Sequence, residues 1–298
     1  MNGIYLFAVS IMAGYISRVV LEKGFGLRSL YNKIISILIK AVYYILIPLA
    51  FTSIFLERGL TLLDLYVFIY YIVFIVILHA TTTRTKNIRD NMALFLVSSF
   101  PNSVFLGFPV VLAVLGRIYI AAIFGVITVV LNIVVPDIIS AGKISLKPVF
   151  SSTGFIGFLI GVLAHYITGS YAYVIYSYIH WSSSLLSYAA TFTMGMRIPV
   201  SISVSAELKK AMIHTCIYRF IAAPLLAYAF SFIFGIRSLD RTELVVVSSM
   251  PPAVMNALVA EKYKWDSQLV ALIIALMTII YLLLVLPLYI LMIRSSIL

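Results

Sequence analysis

The sequence predicts an all-α polytopic membrane protein: ten transmembrane helices in two inverted five-helix repeats, with broken, crossing helices four and nine. Three observations predict it. The composition is too apolar for a soluble chain, nearly all the charge lies at or between the ends of ten apolar runs, and residue matches recur at an offset near 150.

Of 298 residues, 63% are hydrophobic and only 10% charged, and the mean hydropathy is +1.13. A soluble domain carries roughly 25% charged residues, and it has too little interior to hide this much apolar surface. The bilayer is therefore the expected solvent. The net charge of +11 raises nucleic acid as a partner. The basic residues are scattered between apolar runs and form no patch, so nucleic acid is not expected. The single cysteine, Cys216, excludes an internal disulfide and a cysteine metal cluster. Met1-Asn2-Gly3 lacks the basic start of a signal peptide, so the first run is expected to be kept as a span. No Gly-rich phosphate loop occurs, which points to a gradient or the membrane potential as the energy source. His-Glu-x-x-His is absent, no metal or other cofactor is expected, and no catalytic set can be assembled.

A span needs about 20 mostly apolar residues. The runs 3–21, 33–56, 62–80, 91–116, 118–140, 150–168, 172–196, 209–234, 242–261 and 267–293 qualify, and all ten acidic residues fall at or near their ends. Lys and Arg orient the spans. Connections after the odd spans hold fourteen: Arg18, Lys23, Arg28, Lys33, Arg84, Lys86, Arg89, Lys143, Lys147, Arg197, Lys209, Lys210, Lys262 and Lys264. The opposite side holds five: Arg58, Arg117, Arg237, Arg241 and Arg294. The positive-inside rule makes the odd connections cytoplasmic and places both termini on the extracytoplasmic side of the cell membrane.

The repeat shows as ordered matches. Ser98-Ser99-Phe100-Pro101 pairs with Ser248-Ser249-Met250-Pro251, Val104 with Val254, and Pro136 with Pro287. Ala13-Gly14-Tyr15-Ile16 pairs with Ala164-His165-Tyr166-Ile167, and Ile69-Tyr70 with Ile217-Tyr218. The halves are 1–145 and 146–298. With five spans per half, the second enters the membrane with opposite polarity, an architecture common among secondary transporters.

Span four contains Phe100 through Pro109, and span nine contains Met250-Pro251-Pro252 through Asn256. Proline removes a donor and clashes with the preceding turn, and it biases the residue before it away from the α region. Two prolines bracketing Asn102, Ser103 and Gly107, or two adjacent ones, predict unwinding at mid-membrane. Simple proline kinks are the competing account, and they are the expectation for Pro48 and Pro224. Unwound backbone there must be buried in protein or line a cavity. Matching breaks in the two halves are the sequence pointer to a binding site. The N-terminal ends of the outgoing half-helices carry partial positive charge and favour an anion such as a carboxylate, with Asn102 and Asn256 as amide donors.

The run Pro101-Asn102-Ser103-Val104-Phe105-Leu106-Gly107-Phe108-Pro109 resembles the Asn-x-x-x-x-Gly-x-Pro signature in the fourth span of the auxin efflux carrier family, which includes the plant PIN-FORMED carriers and prokaryotic organic-acid permeases. Pro251-Pro252-Ala253 through Tyr263 and Asp266, Gly14-Tyr15 and Ile47-Pro48 also fit, so the resemblance covers the whole chain. It implies a scaffold of spans one, two, six and seven, usually dimeric, here a homodimer through scaffold helices. It further implies a mobile transport domain of spans three to five and eight to ten, an elevator-like motion, and a small anionic or weak-acid substrate. Asn102, Gly107, Pro109, Pro251 and Pro252 match its crossover positions. The long cytoplasmic loop of many plant members is missing.

Arg219 lies inside span eight, where a charge is expensive and usually faces the bundle interior. Three roles are open to it: contact with a substrate carboxylate, capture by crossover carbonyls, or snorkelling to the interface. Asn132 of span five is expected to make an interhelical hydrogen bond. The candidate substrate site is thus Asn102, Ser103, Gly107, Pro109, Arg219, Pro251, Pro252 and Asn256. The alternatives are a sodium-coupled symporter of the bile-acid type and a membrane receptor that binds a ligand without moving it.

Overall fold

A computed structural model describes residues 2–21, 27–82, 88–142, 146–198 and 206–295. Lys23, Arg84, Lys86 and Lys143, used above to orient the chain, lie outside the described residues. The described chain is helical, with one isolated two-residue bridge. In order the helices are α1 (Asn2–Val19), α2 (Arg28–Ala41), α3 (Ile47–Arg58), α4 (Leu62–Thr82), α5 (Ile88–Ser99), α6 (Phe108–Leu115), α7 (Tyr119–Ala141), α8 (Lys147–Phe150) and α9 (Thr153–Thr168). They continue as α10 (Ala172–Ile179), α11 (Trp181–Arg197), α12 (Ala206–Cys216), α13 (Ala223–Ile233), α14 (Ser238–Ser248), α15 (Met255–Lys262), α16 (Ser267–Ile280) and α17 (Leu286–Arg294). Among the described residues six stretches are long and apolar enough to cross a membrane: Arg28–Arg58, Leu62–Thr82, Tyr119–Ser140, Thr153–Arg197, Ala206–Ile233 and Ser267–Arg294. Gly3–Val19 and Ser103–Leu115 are shorter apolar helices.

Proline sets the joints inside the long stretches. Pro48, Pro109, Pro224 and Pro287 are each the second residue of a helix that directly follows a π-helical turn, at 42–46, 103–107, 217–222 and 281–285. Each proline lacks the N–H that would close onto the carbonyl four residues back, and its ring crowds that carbonyl. A widened turn relieves both problems without ending the helix. Pro48 and Pro224 therefore sit behind bulged turns, a more specific geometry than the plain kinks expected from sequence.

The chain divides into two compact units. The first holds α1–α3, residues 104–122, and 145–198. Within it, α1 packs on α11 and α3 on α9. Both contacts need glycine. A Cβ on Gly14 would fall 2.1 Å from the Phe192 carbonyl oxygen, and one on Gly157 would fall 2.3 Å from that of Pro48. Small residues let membrane helices approach backbone to backbone, where dispersion and interhelical hydrogen bonds replace the missing hydrophobic drive. Thr52 Oγ1 accordingly donates to the Gly157 carbonyl at 3.0 Å and Thr153 Oγ1 to that of Tyr43 at 2.6 Å.

The second unit holds residues 62–103, 123–144 and 199–298. Its interior includes Tyr70, Tyr71, Phe74, Phe95, Phe100 and Phe124, all buried, with Tyr71 and Phe124 in edge contact. The buried phenols are satisfied by backbone: Tyr70 donates to the Ala223 carbonyl at 2.9 Å and Tyr71 to that of Ser99 at 2.8 Å.

Candidate functional site

Within the second unit two helices stop short and meet. α5 ends at Ser99, two residues before Pro101, and α14 ends at Ser248, three residues before Pro251-Pro252. In the sequence these helices belong to the runs 91–116 and 242–261, both expected to unwind at their prolines. α14 instead starts four residues earlier, at Ser238, and both runs divide at the prolines. The intervening segments pair in antiparallel fashion, with Pro101 opposite Pro252. The Asn102 N–H donates to the Pro251 carbonyl at 2.7 Å, and the Ala253 N–H to the Phe100 carbonyl at 2.8 Å. The three prolines have no N–H to satisfy, so two bonds suffice to close the ladder.

Each helix end leaves carbonyls without an intrahelical donor, and here they are buried. Asn256 and Arg219 supply most of the missing hydrogens. Asn256 Nδ2 donates to the Leu96 and Phe100 carbonyls at 3.2 and 3.0 Å, while its Oδ1 accepts from Asn132 Nδ2 at 3.0 Å. Arg219 is 0% exposed. Its Nε donates to the Met250 carbonyl at 3.0 Å and its Nη2 to that of Ser248, while Nη1 lies 3.5 and 3.4 Å from those of Ser98 and Ser99. Of the three roles open to Arg219, the geometry is that of capture by crossover carbonyls. Asn256, expected as a ligand donor, has both amide hydrogens spent on the backbone.

Asn102 differs. It is 3% exposed, and its Nδ2 has no hydrogen-bond partner among the described residues. A buried amide left in that state costs free energy unless something accepts from it. Next to it, the Ser103 hydroxyl lies 2.6 Å from that of Thr128. Thr128 and Asn132 stand one turn apart on α7, so a single face of that helix reaches both Ser103 and Asn256. Sequence reasoning missed Thr128. Its signal was the i, i+4 pairing of Thr128 with Asn132 in an otherwise apolar run. His214 Nδ1 lies 3.2 Å from Ser98 Oγ near the end of α5.

The second unit thus brings together Asn102, Ser103, Arg219, Pro251, Pro252 and Asn256. Gly107 and Pro109 belong to the first unit, where Gly107 precedes α6. Pro109 there lines a cavity of about 160 Å³ with Gly3, Phe7, Ala113, Ser187 and Thr191. That volume falls below the roughly 300–1,000 Å³ of drug-sized ligand pockets.

A family model described as a membrane transport protein matches residues 140–290, just over half of the chain. A protein of Methanocaldococcus jannaschii described as an uncharacterized transporter is 32% identical over 189 residues, covering 60% of this chain and 61% of that protein. The chain therefore spans about three fifths of the length of the relative it matches.

Proposed function

We propose, from the premise that this chain belongs to the membrane transport protein family, which is the auxin efflux carrier family, that it is a secondary transporter of a small organic anion or weak acid. The observation that carries this is the buried, unpartnered Nδ2 of Asn102 at the meeting of two interrupted helices. An amide donor held there selects for an acceptor. The start of α15 at Met255 adds the partial positive end of a helix. The described side chains that bond to the crossing are amides, hydroxyls, a histidine and a guanidinium, and none is a carboxylate.

An inverted repeat of ten spans is the architecture we assign, with α5–α6 and α14–α15 as the fourth and ninth. Two features support it. The interrupted helices stop at matching positions of the sequence repeat. In the first unit, the close pairs α1–α11 and α3–α9 join spans one to seven and two to six, and the repeat exchanges these two pairings. The unit containing α4, α5 and α12–α17 is our candidate for the moving body of an elevator-like cycle. The unit with α1–α3 and α9–α11 is the candidate scaffold, dimeric by the resemblance.

Uptake into proteoliposomes tests the function. Labelled mono- and dicarboxylates, aromatic acids and amino-acid derivatives should include at least one that accumulates or exchanges, and Asn102→Ala should sharply reduce that flux at low substrate concentration. Binding without flux would favour a receptor. Flux that survives Asn102→Ala unchanged would remove the site.

A further inference from the structure

The carbonyls around Arg219 have a second meaning. They come from two helix C-termini, the negative ends of α5 and α14, and they converge on one cation. The guanidinium carbon also lies 5.7 Å from the centroid of the Phe74 ring, and Tyr71 donates to one of the same carbonyls. Among the described residues Arg219 makes no ion pair, so these oxygens and dipoles are what hold its charge. In transporters built on discontinuous helices, unwound carbonyls and half-helix C-terminal ends are the groups that coordinate a coupling sodium ion.

We propose that Arg219 is a tethered cation filling a carbonyl cage that would otherwise take an alkali ion. The crossing is then assembled without sodium, and substrate movement is not tied to sodium through this cage. The proposal rests on the transport reading for its consequence and on the cage geometry for its substance. Arg219 is a positioning residue: it touches the helix ends and leaves Asn102 to the substrate. Pro224 shares in this, since the π turn it forces at 217–222 is the turn that carries Arg219.

The experiment is the melting temperature of the purified full chain in detergent, in lithium, sodium, potassium and choline chlorides at fixed ionic strength, with and without low guanidinium. The wild type should melt at the same temperature in sodium and in choline. Arg219→Ala should melt lower in choline and recover saturably with guanidinium or an alkali cation. Arg219→Lys should keep part of the stability with no cation requirement. The proposal is overturned if the wild type is saturably stabilised by sodium over choline. It is equally overturned if neither guanidinium nor any alkali cation raises the melting temperature of Arg219→Ala, or recovers its yield when it does not survive purification in choline. Because the readout is thermal, a chain that carries no anion can still pass, so failure here and failure of the transport reading are separate results.

Discussion

The two helix breaks carry the same sequence signal and do different things. At 98–103 the asparagine keeps an amide donor idle, and at 248–256 the asparagine spends both of its hydrogens on the other break. Around the second, α7 contributes Asn132, and around the first it contributes Thr128, through Ser103. The repeat matches Pro101 with Pro251, whereas at the same offset Asn102 stands opposite Pro252 and Asn256 opposite Leu106, so the two asparagines are placed, and their roles divided, independently of it. The saturated asparagine is a strap; the unsaturated one is free to bind.

Ways to break this comparison can be ranked by size. Asn256→Ala should do the most damage. It takes the second donor from the buried Leu96 and Phe100 carbonyls and strands the Asn132 amide, at about 1–3 kcal/mol for a buried group left unpaired, and should lower the melting temperature and the yield along with flux. Asn102→Ala removes a group that has no partner to strand, so its melting temperature should stay near that of the wild type. Its loss should appear in ligand affinity, on the order of 10–100-fold for one hydrogen bond to a charged group. Equal destabilisation by the two alanines would erase the distinction.

A smaller effect is expected at Thr128→Val, which keeps the shape and deletes the hydroxyl that meets Ser103. Chemical or thermal unfolding should show a cost of about 1 kcal/mol, with a modest change in ligand affinity because Ser103 gains freedom beside Asn102. A comparable effect is expected at Lys262→Ala. Lys262 lies 2.8 Å from Asp137, and its own side chain is 54% exposed while that of Asp137 is only 7% exposed. Solvent screens the lysine end, but the deletion leaves a buried carboxylate without its partner, so the cost should be about 1 kcal/mol and only partly masked by high salt.

Most of the helical layout was legible because apolar length and charged ends are strong signals in a bilayer. The ends at Ser99 and Ser248 followed from Pro101 and Pro251, whose effect on the preceding residue is local. The π turns were not legible as such: the four prolines announce a disturbance, and whether a helix kinks, bulges or stops depends on what meets its freed carbonyls. Pro101 and Pro109 lie eight residues apart in one run, yet the helix stops at the first and only bulges at the second. Arg219 shows the same limit. Its cost was evident from its place in span eight, but its partners are carbonyls of Ser98, Ser99, Ser248 and Met250, 29 or more residues away along the chain. No spacing rule names a backbone acceptor. Asn102 and Asn256 look alike in sequence for the same reason.

The central claim is that Asn102 faces the ligand while Asn256 holds the crossing. The most direct test is the carboxylate-induced shift in melting temperature of the wild type beside Asn102→Ala and Asn102→Asp, using whichever acid the flux screen selects. The account predicts a saturable rise in the wild type, a midpoint moved to acid concentrations on the order of 10–100-fold higher in Asn102→Ala, no rise in Asn102→Asp, and ligand-free melting temperatures of the wild type and Asn102→Ala that coincide. A rise of equal size and midpoint in Asn102→Ala would contradict it.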